Sequence, residues 1–132
     1  MSAGRLGTIA TLVALALVAG ACGKKKTPEE HAVEAQTTFA TVCSRCHGLE
    51  GKGGPAPAPG QQAPRNFTDG TFHRERTDAQ LKTSIKEGRS PGMPSFGGTF
   101  DDAQIGALVN VVRSFDPQSS SPAAKANANL GK

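Results

Sequence analysis

Tryptophan and tyrosine are absent, and six phenylalanines are all the large aromatic bulk of the chain. Protein rings alone therefore fill little of a core. The 132 residues suffice for one small domain, and below about 100 ordered residues apolar burial gives thin stability. Such a chain gains from a large apolar cofactor. Strand signals are absent as well, so a β fold is excluded and an all-α chain is expected. No Ser/His/Asp set or paired acid/base site is visible, which removes the common hydrolytic chemistries. A clustered basic face is also lacking. Between His31 and Asp116 there are nine Lys and Arg and nine Asp and Glu, so the net charge of +4 belongs to the tails. No nucleic-acid footprint remains.

What is present begins with an export segment. In residues 1–21 the only charge is Arg5, and Leu6 to Ala21 is an uncharged, mostly apolar run. As a helix it spans about 24 Å at ~1.5 Å per residue, short of a ~30 Å hydrocarbon core. A cleaved signal peptide over 1–21 is therefore expected, and with it an exported protein. Val18-Ala19-Gly20-Ala21-Cys22 resembles a bacterial lipobox. On that reading Cys22 is lipidated and anchors the protein to a bacterial membrane, facing the periplasm; the alternative is ordinary cleavage near Ala21. Residues 22–28 form a basic tether whose Lys24, Lys25 and Lys26 suit anionic headgroups. Pro117 to Lys132, rich in Ser, Ala, Asn and Pro, reads as a disordered tail. The folded domain is expected over 29–116.

Three helices are expected inside it. The first runs from Pro28 or Glu29 to Val42, with Val33, Gln36, Ala40 and Phe39, Cys43 on one side. The second, Asp78 to Glu87, has a Thr77/Gln80 capping box and ends at Gly88. The third runs from Asp102 to about Phe115 after an Asp101/Gln104 box. Its Ile105, Leu108, Val109 and Val112 follow the i, i+3, i+4, i+7 pattern of an apolar stripe. Gly51 to Pro64 holds four prolines and four glycines and reads as a loop.

The chemistry-bearing stretch is Cys43-Ser44-Arg45-Cys46-His47. Cys-x-x-Cys-His is the spacing of covalent c-type haem attachment. Two thioethers clamp one edge of the macrocycle, and the adjacent imidazole reaches the iron. A redox dithiol would want a strand–helix setting, which is absent. A structural zinc usually takes four ligands, and only His31 or His73 remains to complete one. After signal removal Met93 is the sole methionine, on the Pro-bracketed stretch Pro91-Gly92-Met93-Pro94. It is the candidate sixth ligand, and Met/His ligation raises a haem potential relative to bis-His. His73, in a charged stretch, and His31, near the tether, read as solvated surface residues.

From Glu29 to Phe115 the chain resembles the class I cytochromes c. Phe39 stands four residues before the first motif Cys, and Ala35 stands where a Gly is usual. Gly92-Met93-Pro94-Ser95-Phe96 resembles the family's Met loop, and Asp101 to Phe115 its C-terminal helix. Arg65-Asn66-Phe67-Thr68-Asp69 is similar to a segment of small bacterial monohaem members. Val111 departs from the pattern, since an aromatic often lies near there. The resemblance implies an all-α cytochrome c fold, three main helices plus loops around one covalently bound haem c. It also implies that a Pro carbonyl orients His47; Pro55, Pro57 and Pro59 are in reach, with Pro55 favoured.

With His47 and Met93 on the iron, no position is open to substrate. The expected role is electron transfer between Fe(II) and Fe(III), with redox partner proteins and no enzymatic activity. The alternatives are a haem enzyme or gas sensor in which Met93 is displaced, and a cytochrome subunit of a larger oxidoreductase.

Overall fold

The first helix starts where local chemistry says it should. The Thr27 hydroxyl accepts from the Glu30 amide at 3.2 Å, and the Glu30 carboxylate accepts from the Thr27 amide at 2.7 Å. This reciprocal box satisfies two donors that a helix start leaves unpaired, and Pro28 occupies the first helical position. The computed structural model describes residues 25–119. The expectations for the signal segment 1–21, for Cys22 and for the tail from 120 onward fall outside the described residues.

Five α-helices and one π turn follow in order: α1 (Pro28–Thr38), the π turn (Phe39–Cys43), α2 (Ser44–His47), α3 (Gly70–Glu75), α4 (Asp78–Glu87) and α5 (Asp102–Ser114). The described chain is all-α; an isolated bridge between Arg89 and Met93 is its only β-type pairing. No helix among the described residues is long and apolar enough to cross a membrane.

The expected first helix is interrupted. The Ser44 amide bonds to the Phe39 carbonyl, one residue further back than in an α-helix. Three hydroxyls in this stretch take carbonyls four residues earlier: Thr37 on Val33 at 3.1 Å, Thr41 on Thr37 at 2.8 Å and Ser44 on Ala40 at 2.6 Å. Such back-bonding competes with the backbone ladder and bends helices. The path then continues through the Cys motif as α2.

The buried side of the first helical stretch matches the expected one at Phe39 and departs from it at Val33 and Ala40. Ala35 and Phe39 are buried, whereas Val33 is 69 % exposed. Two residues rotate a helix by about 200°, so α5 packing at Ala35 leaves Val33 facing outward. On α5 the expected stripe of Ile105, Leu108, Val109 and Val112 is buried, and Val111 joins it. The small side chain of Ala35 lets α1 lie against α5. Where an aromatic at Val111 was missing, Phe39 finds Phe115 instead, with ring centres 5.0 Å apart.

α4 has the expected bounds and both halves of its capping box. It turns Leu81 inward and carries Ile85 against the core. α3 was not foreseen. The Asp69 carboxylate caps it, accepting from the Thr71 amide at 2.9 Å, and it buries Phe72 and His73. His73 is thus a correction: at 8 % exposed it is part of the interior. Its neighbours in sequence are charged, but a short helix turns it away from them. His31 is likewise less exposed than expected. It is half-buried, and its Nδ1 is shielded from solvent without a hydrogen-bond partner, because it lies where α1 meets α5 beside Ala35, Phe100 and Leu108.

Candidate haem site

Cys43 closes the π turn, and Cys46 and His47 lie on α2. Gly48, at φ +74°, then turns the chain away in a conformation that favours glycine. Both thiols are free, Cys43 half-buried and Cys46 exposed. Burial pushes the Cys43 thiol up from its ordinary value. A protonated thiol is a poor nucleophile for disulfide exchange.

His47 is held from two directions. Its Nδ1 lies 3.1 Å from the Arg65 carbonyl oxygen. A carbonyl only accepts, so Nδ1 carries the hydrogen and Nε2 is left with its lone pair. One face of the imidazole stacks on Phe67, ring centres 4.4 Å apart and planes 18° from parallel. Burial pushes the imidazole pKa down, against a smaller opposing effect of the Arg65 hydrogen bond. The neutral form, which is the metal-binding form, is therefore favoured.

The Arg65 carbonyl replaces the expected Pro acceptor; none of Pro55, Pro57 or Pro59 serves. The reason is the path of the loop. The Gly53 amide donates to the His47 carbonyl at 2.8 Å, and the Phe67 amide to the Gly51 carbonyl at 2.7 Å. These two bonds carry the Pro-rich stretch out and bring 65–67 back beneath His47. Gly53 and the Pro64 carbonyl pass so closely that a Cβ at Gly53 would lie 2.5 Å from that oxygen. The sequence carried one signal of this, the Arg65-Asn66-Phe67 segment. Sequence reasoning missed the Phe67 ring as a support for His47.

Met93 sits between α4 and α5, half-buried, in a tight turn. Arg89 and Met93 exchange both backbone hydrogen bonds at 2.9 Å, and the Gly92 amide donates to the Arg89 carbonyl at 3.0 Å. A Cβ at Gly92 would lie 3.8 Å from the Gln62 carbonyl, so the Met turn meets the far end of the loop that leaves His47. No hydrogen bond or ring contact joins Met93 to Cys43, Cys46 or His47 among the described residues. The structure thus brings the Cys–Cys–His motif together on one helical segment and sets Met93 on a separate, well-braced turn.

Among the described residues no three His, Cys, Asp or Glu side chains cluster to hold a metal ion. A zinc site of four protein ligands is not built here. A group that brings most of its own ligands fits better: it asks of the chain two adjacent free thiols and one neutral, oriented imidazole. An open groove of about 810 Å³ between α1, α4 and α5, lined by His31, Lys82 and Asn110 among others, lies apart from this motif.

A family profile described as cytochrome c oxidase, cbb3-type, subunit III matches residues 30–110. Among solved structures, the KustC0563 c-type cytochrome is similar to this chain with a TM-score of 0.54 and 26% identity, over 62% of this chain and 96% of that one. No curated protein matches. With the profile spanning the whole stretch from α1 into α5, the chain belongs to this cytochrome c family: it is a class I c-type cytochrome, a haem-based electron-transfer protein with covalently bound haem c and its iron.

Proposed function

We propose that the haem is attached through thioethers to Cys43 and Cys46, that His47 Nε2 and Met93 Sδ are the axial ligands, and that the protein is an electron carrier and not an enzyme. The observation that carries this reading is the 3.1 Å contact of His47 Nδ1 with the Arg65 carbonyl, which fixes the tautomer and frees Nε2 for iron. Bound haem c supplies a one-electron couple, iron passing between ferrous and ferric states. The chain's own residues orient and shield it. Arg65 and Phe67 hold the imidazole, and the Arg89–Met93 turn stiffens the backbone behind the thioether. With His47 and Met93 both holding the iron, no position on it would be open to substrate.

The ferric absorption spectrum tests this. A weak near-infrared band from Met sulfur to iron is expected, and it disappears in Met93→Ala. A high-spin, open-site spectrum in the native protein overturns the carrier reading in favour of a haem enzyme or gas sensor. Haem that survives denaturation in the native chain, and not in a Cys43→Ser, Cys46→Ser variant, tests the attachment.

The family description favours a second reading, a cytochrome subunit working inside a larger oxidoreductase. Co-purification of further subunits from solubilised membranes supports it, and a monomeric, freely exchanging cytochrome counts against it. In either case the partners are redox proteins.

The reading extends to location. The signal segment 1–21 is removed, Cys22 is acylated, and the domain hangs on the periplasmic side of a bacterial membrane. The apolar run Leu6 to Ala21 and the small residues before Cys22 support this. So does the Thr27 cap, which begins the folded domain a few residues past Cys22. Cys22→Ser is expected to yield a soluble, haem-loaded protein; membrane retention of that variant refutes the anchor.

A further inference from the structure

His73 has no part in the haem reading above, yet it is buried and both of its ring nitrogens are engaged. Nε2 lies 2.6 Å from the Phe67 carbonyl oxygen. Nδ1 lies 3.3 Å from the Arg113 guanidinium. A carbonyl accepts and a guanidinium donates, so Nε2 carries the hydrogen and Nδ1 accepts. The two contacts hold the ring in one orientation. Arg113 is itself over-determined. It donates to the His73 carbonyl at 3.0 Å, to the Arg76 carbonyl, and through Nε to the Asp78 carboxylate at 2.8 Å. One α5 side chain thereby fixes the end of α3 and the start of α4.

The far end of this chain of bonds is the haem ligand. Phe67 is clamped on both sides of its backbone, its amide by the Gly51 carbonyl and its carbonyl by His73. Its ring lies on the His47 imidazole, and two residues earlier the Arg65 carbonyl takes the His47 Nδ1 hydrogen. Phe72, next to His73, closes the same corner: its ring centre is 5.6 Å from that of Phe67 and 5.6 Å below the Arg65 guanidinium.

We propose that His73 and Arg113 are positioning residues that set the reduction potential through His47, by holding the 65–67 segment whose carbonyl and ring support the imidazole. The inference rests on the reading that His47 ligates the iron. The physical link is ligand basicity. A firm Nδ1–H···O=C bond gives the imidazole imidazolate character, which strengthens its donation to iron and favours the ferric form. When 65–67 slackens, that bond weakens and the couple moves toward ferrous. His73 and Arg113 act only through the 65–67 segment and His47.

The test uses the haem-loaded full chain. His73→Leu keeps bulk and removes both ring contacts; His73→Gln keeps a side-chain amide to donate to the Phe67 carbonyl. At fixed applied potential His73→Leu is expected to raise the ferrous-to-ferric ratio about threefold or more, because the weakened Nδ1–H bond lowers the donation of the imidazole to iron. The His47 ring N–H, followed by NMR, exchanges faster in the same variant, and His73→Gln restores both quantities toward the native values. Arg113→Gln, at a side chain one quarter exposed, makes the same comparison one step further out and moves both in the same direction. Haem-loaded variants that lose only stability, with native potential and native N–H exchange, overturn the proposal and leave the ligand reading standing. A native chain with no covalent haem at Cys43 and Cys46 overturns both.

Discussion

The imidazole of His47 lies flat on the ring of Phe67, and Phe67 is in turn within ring contact of Phe39, Phe72 and Phe115, with centres 6.3, 5.6 and 6.3 Å away. Four of the six phenylalanines thus form one cluster, and His47 is attached to its edge. Scarce aromatic bulk is concentrated where it braces His47.

Truncating the hub of that cluster is the first prediction. Phe67→Ala removes a buried ring that touches three others and the imidazole. Large-to-small changes of this kind cost about 3–5 kcal/mol, and Phe67→Leu, which leaves less empty space, costs less. Chemical denaturation of the haem-loaded protein measures both. A loss below about 0.5 kcal/mol for Phe67→Ala, the size of an ordinary surface effect, would show that the haem and not the ring cluster holds this corner.

The crossing of α1 and α5 supplies a second. Ala35 is 3 % exposed, and α5 packs against it. Ala35→Leu forces extra methylenes into that contact, at about 1–3 kcal/mol. Val33→Leu, two residues away on the exposed side, is expected within about 0.5 kcal/mol of the native protein. Thermal melts of the pair decide which side of α1 faces the core, since the reverse ranking would mean that Val33 and not Ala35 is inside.

The loop that returns to His47 offers a comparison of two glycines. Gly53 and Gly60 have nearly the same backbone angle, φ +78° and +80°. A Cβ at Gly60 meets nothing within 4 Å, whereas one at Gly53 lies 2.5 Å from the Pro64 oxygen. Gly60→Ala therefore carries only the left-handed strain, about 1–2 kcal/mol. Gly53→Ala carries the same strain and also pushes Pro64 and Arg65 away from His47. The expected result is a larger stability loss for Gly53→Ala, with a shift in potential that Gly60→Ala lacks. Equal behaviour of the two would mean that the loop yields without moving the Arg65 carbonyl.

What the sequence could and could not disclose follows the range of the forces involved. α4 and α5 were legible with their bounds, because Thr77/Gln80 and Asp101/Gln104 are bonds between residues three apart. The Cys43–His47 motif was legible because its residues are contiguous and share one helical segment. The Arg65 acceptor was not, since the partner is 18 residues away in sequence and is a backbone atom that any residue could supply. Burial of His73 depends on Arg113, forty residues further on, and no local pattern encodes that. The π turn came from three hydroxyls whose individual preferences are weak.

Acid sensitivity at the start of the domain gives the last prediction. Glu34 holds Lys26 at 2.6 Å and accepts from the Gln104 side chain at 3.1 Å, so it ties the basic tether and α5 to α1. The Lys26 hydrogen bond is the largest of the causes that hold its carboxyl below the usual range. A depressed carboxylate stabilises the folded state above its unfolded pKa, and that contribution is lost as the pH falls through the folded value. Because solvent reaches the half-buried Glu34 carboxylate, the effect is small and salt-sensitive. Glu34→Gln is expected to melt slightly below the native protein at neutral pH and low salt. The gap should close as the pH drops through the carboxylate range, and at neutral pH it should narrow with added salt. A gap that stays constant under both changes would assign the role of Glu34 to its Gln104 contact and not to its charge.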